Sequence, residues 1–231
     1  MMSFVIGGLQ KTSLLDYPGK LSAIVFTQGC NFKCGYCHNP ELNKIKTRPL
    51  YTVPAILEFL KTRMGKLDGV VITGGETCIQ KDLKSFVAEI KGMGFSVKLD
   101  TNGSMPEVLE DLLENRLLDY IAMDIKAPLD KYCRITKTNI DTEKIKRSIN
   151  IIMNSGIEYE FRTTAIKGQL EEKDFIEIGD LISGAKKYYL QKFVPTKILD
   201  ADFFDKPTFS DMEFGNIVSF LRGKVELISV R

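Results

Sequence analysis

Residues 69–101, GVVITGGETCIQKDLKSFVAEIKGMGFSVKLDT, hold one complete strand–helix–strand unit. Gly69–Thr73 is a short β-branched run that stops on Gly74-Gly75-Glu76. Leu83, Phe86, Val87 and Ile90 then recur at i, i+3, i+4 and i+7, the spacing of a helix that lays one apolar face on a sheet. Ser96–Asp100 is a second strand. Runs that stay nearly apolar near their middle belong to strands buried on both faces, as in parallel sheets. The same pattern recurs outward along the chain, with strands predicted at Leu21–Thr27, Tyr120–Ile125, Glu158–Ala165 and Lys187–Phe193, and helices at Thr52–Met64, Asp141–Asn154, Lys173–Ile182 and Ser210–Leu221. Val108, Leu109, Leu112 and Leu113 mark another helix; Ser104, Pro106 and Glu107 read as its capping box, starting it right after Gly103. A strand pair turning at Pro18-Gly19 opens the chain over residues 1–20, six βα units fill 21–200, and a helix and a last strand at Lys224–Val230 fill 201–231.

This is an α/β chain, and 231 residues at 44% hydrophobic suffice for one core, so a single domain over 1–231 is expected. Lysine and arginine number 32 against 30 aspartate and glutamate, a net charge of +2 that gives no reason to expect nucleic acid or an anionic membrane as partner. The amino terminus has no secretory pattern, and no apolar stretch nears the roughly 20 residues of a membrane span, so a cytoplasmic protein is expected.

In parallel α/β folds ligands gather at the carboxyl ends of the strands. Here those ends read Thr27-Gln28-Gly29-Cys30, Thr73-Gly74-Gly75-Glu76, Asp100-Thr101-Asn102-Gly103 and Asp124-Ile125-Lys126, all polar or glycine-rich. Three of the five cysteines, Cys30, Cys34 and Cys37, fall within eight residues. That spacing suits one compact inorganic cluster better than a disulfide framework. Three thiolates leave one iron of a four-iron cube open, and an open metal position is where a ligand binds. Zinc held by the same cysteines with His38 is disfavoured because His38 directly follows Cys37, and adjacent residues seldom both reach one tetrahedral ion. Cys34-Gly35-Tyr36-Cys37-His38 also spells a haem c attachment string, a chemistry at odds with the missing export signal.

Cys30, Cys34 and Cys37, with Tyr36 as the aromatic before the last, resemble the signature of the radical S-adenosylmethionine (SAM) superfamily, and Gly74-Gly75-Glu76 resembles its second motif. Tyr36-Cys37-His38-Asn39-Pro40, Leu99–Gly103 and Met123–Lys126 together resemble the glycyl-radical enzyme activating proteins. The opening string GGLQKTSLLDYPGKLSAIVFTQGCNFKCGYCHNPEL is similar to activators of anaerobic ribonucleoside-triphosphate reductase. The resemblance implies a partial (β/α)6 TIM-like barrel, open on one side. It also implies a [4Fe–4S] cluster on Cys30, Cys34 and Cys37, reductive cleavage of SAM, and a glycyl radical left on the reductase as protein substrate, with flavodoxin or ferredoxin as electron donor.

Residue by residue, the resemblance places Gly74, Gly75 and Glu76 at the SAM amino group and Tyr36 near its adenine. It places Lys126 and Arg162, at or near strand ends, on the SAM carboxylate or on Glu76. Phe193 serves as an apolar wall, Asn102 lies in the SAM-binding strand end, and Asp100, Thr101 and Asp124 form a monovalent-cation site. Helix capping or a salt bridge to Lys126 is the plainer role for the two aspartates. Two features depart from the pattern: Thr77 stands where proline often follows Gly-Gly-Glu, and Cys78 and Cys133 have no counterpart and read as buried or semi-buried thiols. Three other functions share the motifs: pyruvate formate-lyase activation, a small-molecule radical SAM reaction, and an iron–sulfur electron carrier that has no use for the Gly74-Gly75-Glu76 loop.

Overall fold

The computed structural model describes residues 4–44 and 50–231; residues 1–3 of the opening segment lie outside it. The strands are β1 (Ile6–Ser13), β2 (Ser22–Thr27), β3 (Gly69–Gly74), β4 (Ser96–Thr101), β5 (Tyr120–Asp124), β6 (Glu158–Ala165), β7 (Lys187–Lys192) and β8 (Leu227–Val230). The helices are α1 (Pro40–Asn43), α2 (Val53–Lys61), α3 (Leu83–Gly92), α4 (Pro106–Glu114), α5 (Tyr132–Thr136), α6 (Thr142–Met153), α7 (Glu172–Leu181) and α8 (Asp211–Leu221). Hydrogen-bonded strand order follows chain order, β1-β2-β3-β4 in one run and β6-β7-β8 in another. The six expected βα strands are β2 to β7.

Packing divides the chain into two interleaved units. The first comprises residues 4–31, 41–44, 50–101 and 105–121. In it β1 pairs antiparallel with β2, while β2, β3 and β4 run parallel with Thr27 opposite Gly74 and Ile72 opposite Leu99. Among the described residues before position 21 there is one strand rather than a pair. The chain reverses at Tyr17–Lys20, where Lys20 N–H donates to the Tyr17 carbonyl and Gly19 takes a positive φ, and the returning strand is β2 itself. Tyr17 closes the hairpin by burying its ring against Ile24, Val71 and Tyr120, and burial pushes its phenol pKa up.

The second unit comprises residues 32–40, 102–104 and 122–231; the division falls inside β5. There β6, β7 and β8 run parallel, with Phe161 opposite Tyr188 and Leu190 opposite Val230. Its core includes Ile125, Phe161, Phe175, Ile178 and Tyr188, all essentially inaccessible.

The start of α4 differs from expectation. Its N-cap is Met105, with no capping side chain, and Pro106 is the first helical residue. Asn102 takes over instead: its side-chain oxygen accepts the Ser104 N–H at 2.9 Å, and an Asx turn of this kind competes with helix, delaying the start.

Truncating Tyr17 removes both its burial and its edge-on contact with Tyr120 at 5.9 Å. Tyr17→Ala is expected to lower the urea-unfolding free energy by about 3 kcal/mol, the cost of deleting a large buried ring.

Candidate active site

In the first unit, the ends of β2 and β3 meet backbone to backbone. Gly75 N–H donates to the Thr27 carbonyl at 3.0 Å and Glu76 N–H to the Gly29 carbonyl at 2.8 Å. Gly74 has φ +124°, and a Cβ on Gly75 would run into the Gly29 carbonyl. Only glycine allows this approach. Gly29 and Cys30 are in turn tied by their N–H groups to the carbonyls of Leu42 and Asn43. The Gly-Gly pair thereby fixes both the residue before Cys30 and the backbone of Glu76.

The Glu76 side chain is 1% exposed. Its Oε1 accepts the Cys78 N–H at 2.9 Å and the Thr101 hydroxyl at 2.7 Å. Thr77, in place of proline, starts a 3-10 turn and donates its hydroxyl to the Asp100 carbonyl at 2.8 Å, linking the β3 loop to β4. Asp100 is paired with Lys98, a residue that sequence reasoning passed over. Cys78 is buried beside Glu76 and Thr101, and burial followed by the Glu76 charge holds its thiol well above the usual range.

The second unit carries the rest of the cysteine loop. Lys33 N–H donates to the Thr136 carbonyl, Cys37 N–H to the Cys34 carbonyl, and Asp200 N–H to the Gly35 carbonyl. Tyr36 is buried and packs at 6.0 Å on Phe203, which itself meets Phe193 at 6.5 Å. His38 stacks on Phe193 at 5.7 Å and its Nε2 lies 3.1 Å from the Val194 carbonyl. Its ring is thus engaged with the segment after β7. Gly103 takes φ +74°, and its carbonyl accepts the Ser148 hydroxyl at 2.6 Å.

Asp124 is the electrostatic centre of this unit. Arg162 Nε lies 2.8 Å from its Oδ1 and Lys126 Nζ 3.0 Å from its Oδ2. Arg162 sits in the middle of β6 rather than at a strand end, and reaches Asp124 because its carbonyl accepts the Ile125 N–H. Burial disfavours the charged carboxylate, but Arg162 and then Lys126 outweigh it and hold the Asp124 pKa well below the carboxylate range. Burial likewise opposes a charged Lys126, and Asp124 overrides it. The same ammonium partly offsets the burial that raises the Cys34 thiol. The salt bridge to Lys126, the plainer role considered for Asp124, is present.

Residues 24–182 match the family model described as the Radical SAM superfamily, and the chain belongs to that superfamily. It is 34% identical over 235 residues to a protein of Methanocaldococcus jannaschii provisionally named a glycyl-radical enzyme activating enzyme, a match spanning 100% of this chain and 97% of that one. It is 29% identical over 199 residues to the pyruvate formate-lyase-activating enzyme of Staphylococcus aureus, covering 79% of this chain and 77% of the relative. The fold is also that of SuiB from Streptococcus suis bound to S-adenosylmethionine, with TM-score 0.67 at 11% identity over 87% of this chain and 48% of that one.

The superfamily implies a [4Fe–4S] cluster and SAM. The donor set fits the cluster: Cys30, Cys34 and Cys37 are thiols outside any disulfide on one short loop. Among the described residues no three His, Cys, Asp or Glu side chains converge on one ion-sized point, a geometry that a cluster ligated through one thiolate per iron does not require. Cys133 is exposed, not semi-buried, while Cys78 is buried as expected. Among the described residues, no helix is long and apolar enough to cross a membrane.

Asp124→Asn leaves Lys126 and Arg162 facing a neutral amide and is expected to destabilise the protein by about 2 to 3 kcal/mol in urea titrations at neutral pH. Because folding lowers the Asp124 pKa, its stabilisation is complete above the unfolded value of about 3.9 and is lost as pH falls toward the folded one. The parent should therefore lose its advantage over Asp124→Asn on acidification below about pH 4, measured as converging unfolding midpoints.

Proposed function

We propose that this chain activates a glycyl-radical enzyme, and that anaerobic ribonucleoside-triphosphate reductase is the protein activated. The observation that carries the reading is end-to-end similarity to the Methanocaldococcus relative, in a chain that keeps Cys30, Cys34 and Cys37 unbridged. The reductase is favoured over other glycyl-radical enzymes by the opening string from Gly7 to Leu42; the Staphylococcus relative makes pyruvate formate-lyase the alternative.

Cys30, Cys34 and Cys37 would hold the cluster, which when bound with SAM supplies a one-electron cleavage leading to hydrogen abstraction from a glycine Cα. The chain's residues bind and orient. Glu76 and the glycine backbone at Gly74-Gly75 present acceptors suited to the SAM amino group. Lys126 and Arg162 supply charge-assisted donors for its carboxylate. In the structure both donors already hold Asp124, so their geometry is set before any ligand arrives. Tyr36, Phe193 and Asn102 are assigned to the adenosine side. Tyr36 is kept neutral by burial, so it offers an apolar face and a hydroxyl. Cys34 is protonated at neutral pH without metal, and cluster loading would release its proton. The electron donor is assigned to flavodoxin or ferredoxin, and the compartment to the cytoplasm.

Anaerobically reconstituted protein with dithionite and SAM should form 5′-deoxyadenosine, and Cys34→Ser should form none. With the reductase added, a glycyl-radical doublet should appear in its electron paramagnetic resonance spectrum. A doublet on pyruvate formate-lyase alone would assign the alternative partner, and deoxyadenosine without a doublet on either would point to a small-molecule substrate.

A further inference from the structure

We propose that Lys98 provides, as a built-in ammonium, the positive charge that the family resemblance assigns to an added monovalent cation at Asp100. Lys98 and Asp100 stand two residues apart on β4 and so share one face of the strand. Lys98 Nζ lies 2.7 Å from Asp100 Oδ1, with side chains 3% and 15% exposed. The Thr73 hydroxyl donates to the other carboxylate oxygen at 3.2 Å. The ammonium also lies 5.9 Å from the centre of the Tyr120 ring, whose face accepts a cation.

The remaining oxygens assigned to a cation are occupied as well. The Thr101 hydroxyl donates to Glu76, and in the second unit Asp124 is held by Arg162 and Lys126. These residues do not fit an added monovalent ion: it would have to displace the Lys98 ammonium or lie beside it as a like charge. A free ion also loses translational freedom on binding, which a tethered ammonium does not. A lysine on a buried strand position needs a partner to offset its desolvation, and Asp100 is that partner. The neighbouring Thr101 fixes Glu76, so the charge that orders the end of β4 travels with the chain and makes this corner indifferent to which salt is present.

The test uses the anaerobically reconstituted protein, with thermal unfolding and SAM binding by equilibrium dialysis measured in sodium, potassium and choline chloride at equal ionic strength. The parent should show the same midpoint and a dissociation constant constant within about twofold across the salts. Lys98→Met should bind SAM about tenfold more weakly in choline and recover in sodium or potassium, while Lys98→Arg stays indifferent. Should Lys98→Met fail to fold, Lys98→Met with Asp100→Asn removes both charges and should fold with no salt preference. A parent that itself binds SAM about tenfold more tightly in sodium or potassium than in choline overturns the proposal. So does a Lys98→Met protein equally weakened in every salt, or a double variant that fails to fold in any of them. The unfolding measurements do not depend on which glycyl-radical enzyme is activated, so their failure is separable from failure of that assignment.

Discussion

The carboxyl ends of β2 and β3 meet in close backbone hydrogen bonds, backed by the Thr27 hydroxyl donating to the Thr73 carbonyl, and that approach fixes this corner of the first unit. Glu76 N–H reaches the Gly29 carbonyl because positions 74 and 75 have no side chain. The cysteine loop leaves β2 one residue later. A single hydrogen bond therefore couples the start of the three-cysteine loop to the carboxylate that faces the same strand ends. Substituting either glycine would move both.

The second organising feature is that Asp100 and Asp124, two carboxylates at strand ends, carry their own cations. Asp100 has Lys98, Asp124 has Lys126 and Arg162, and Glu76 is held by neutral donors from Cys78 and Thr101. Pairs of this burial contribute little net stability, because desolvation offsets much of the attraction. Their value is positional: a charged ligand meets side chains already fixed in place, with less ordering left to do at the moment of binding.

Much of this was legible in the sequence. The parallel strands announced themselves as unbroken apolar runs, and β6 was read to the residue because Glu158–Ala165 is β-branched or aromatic at its centre. The strand ends stood out as polar or glycine-rich stretches where chemistry would be sought. What escaped depended on tertiary partners. Arg162 lies mid-strand, and the bond from Ile125 N–H to its carbonyl is what brings it beside Asp124. Ser104 looked like a cap, but Asn102 claimed its backbone first. Lys98 had a signal, a charge inside an apolar strand two residues before an aspartate, and only the folded strand shows the two joined. Cys133 could not be placed from sequence because α5 is a five-residue helix with no periodicity to read.

The most direct measurement is the electron paramagnetic resonance spectrum of the dithionite-reduced, reconstituted protein with and without SAM. A cluster held by three thiolates with one open iron gives a reduced-cluster signal that shifts when SAM is added, and loses that signal in Cys30→Ser, Cys34→Ser and Cys37→Ser alike. A signal that SAM leaves unchanged would contradict the open iron and make the chain an electron carrier.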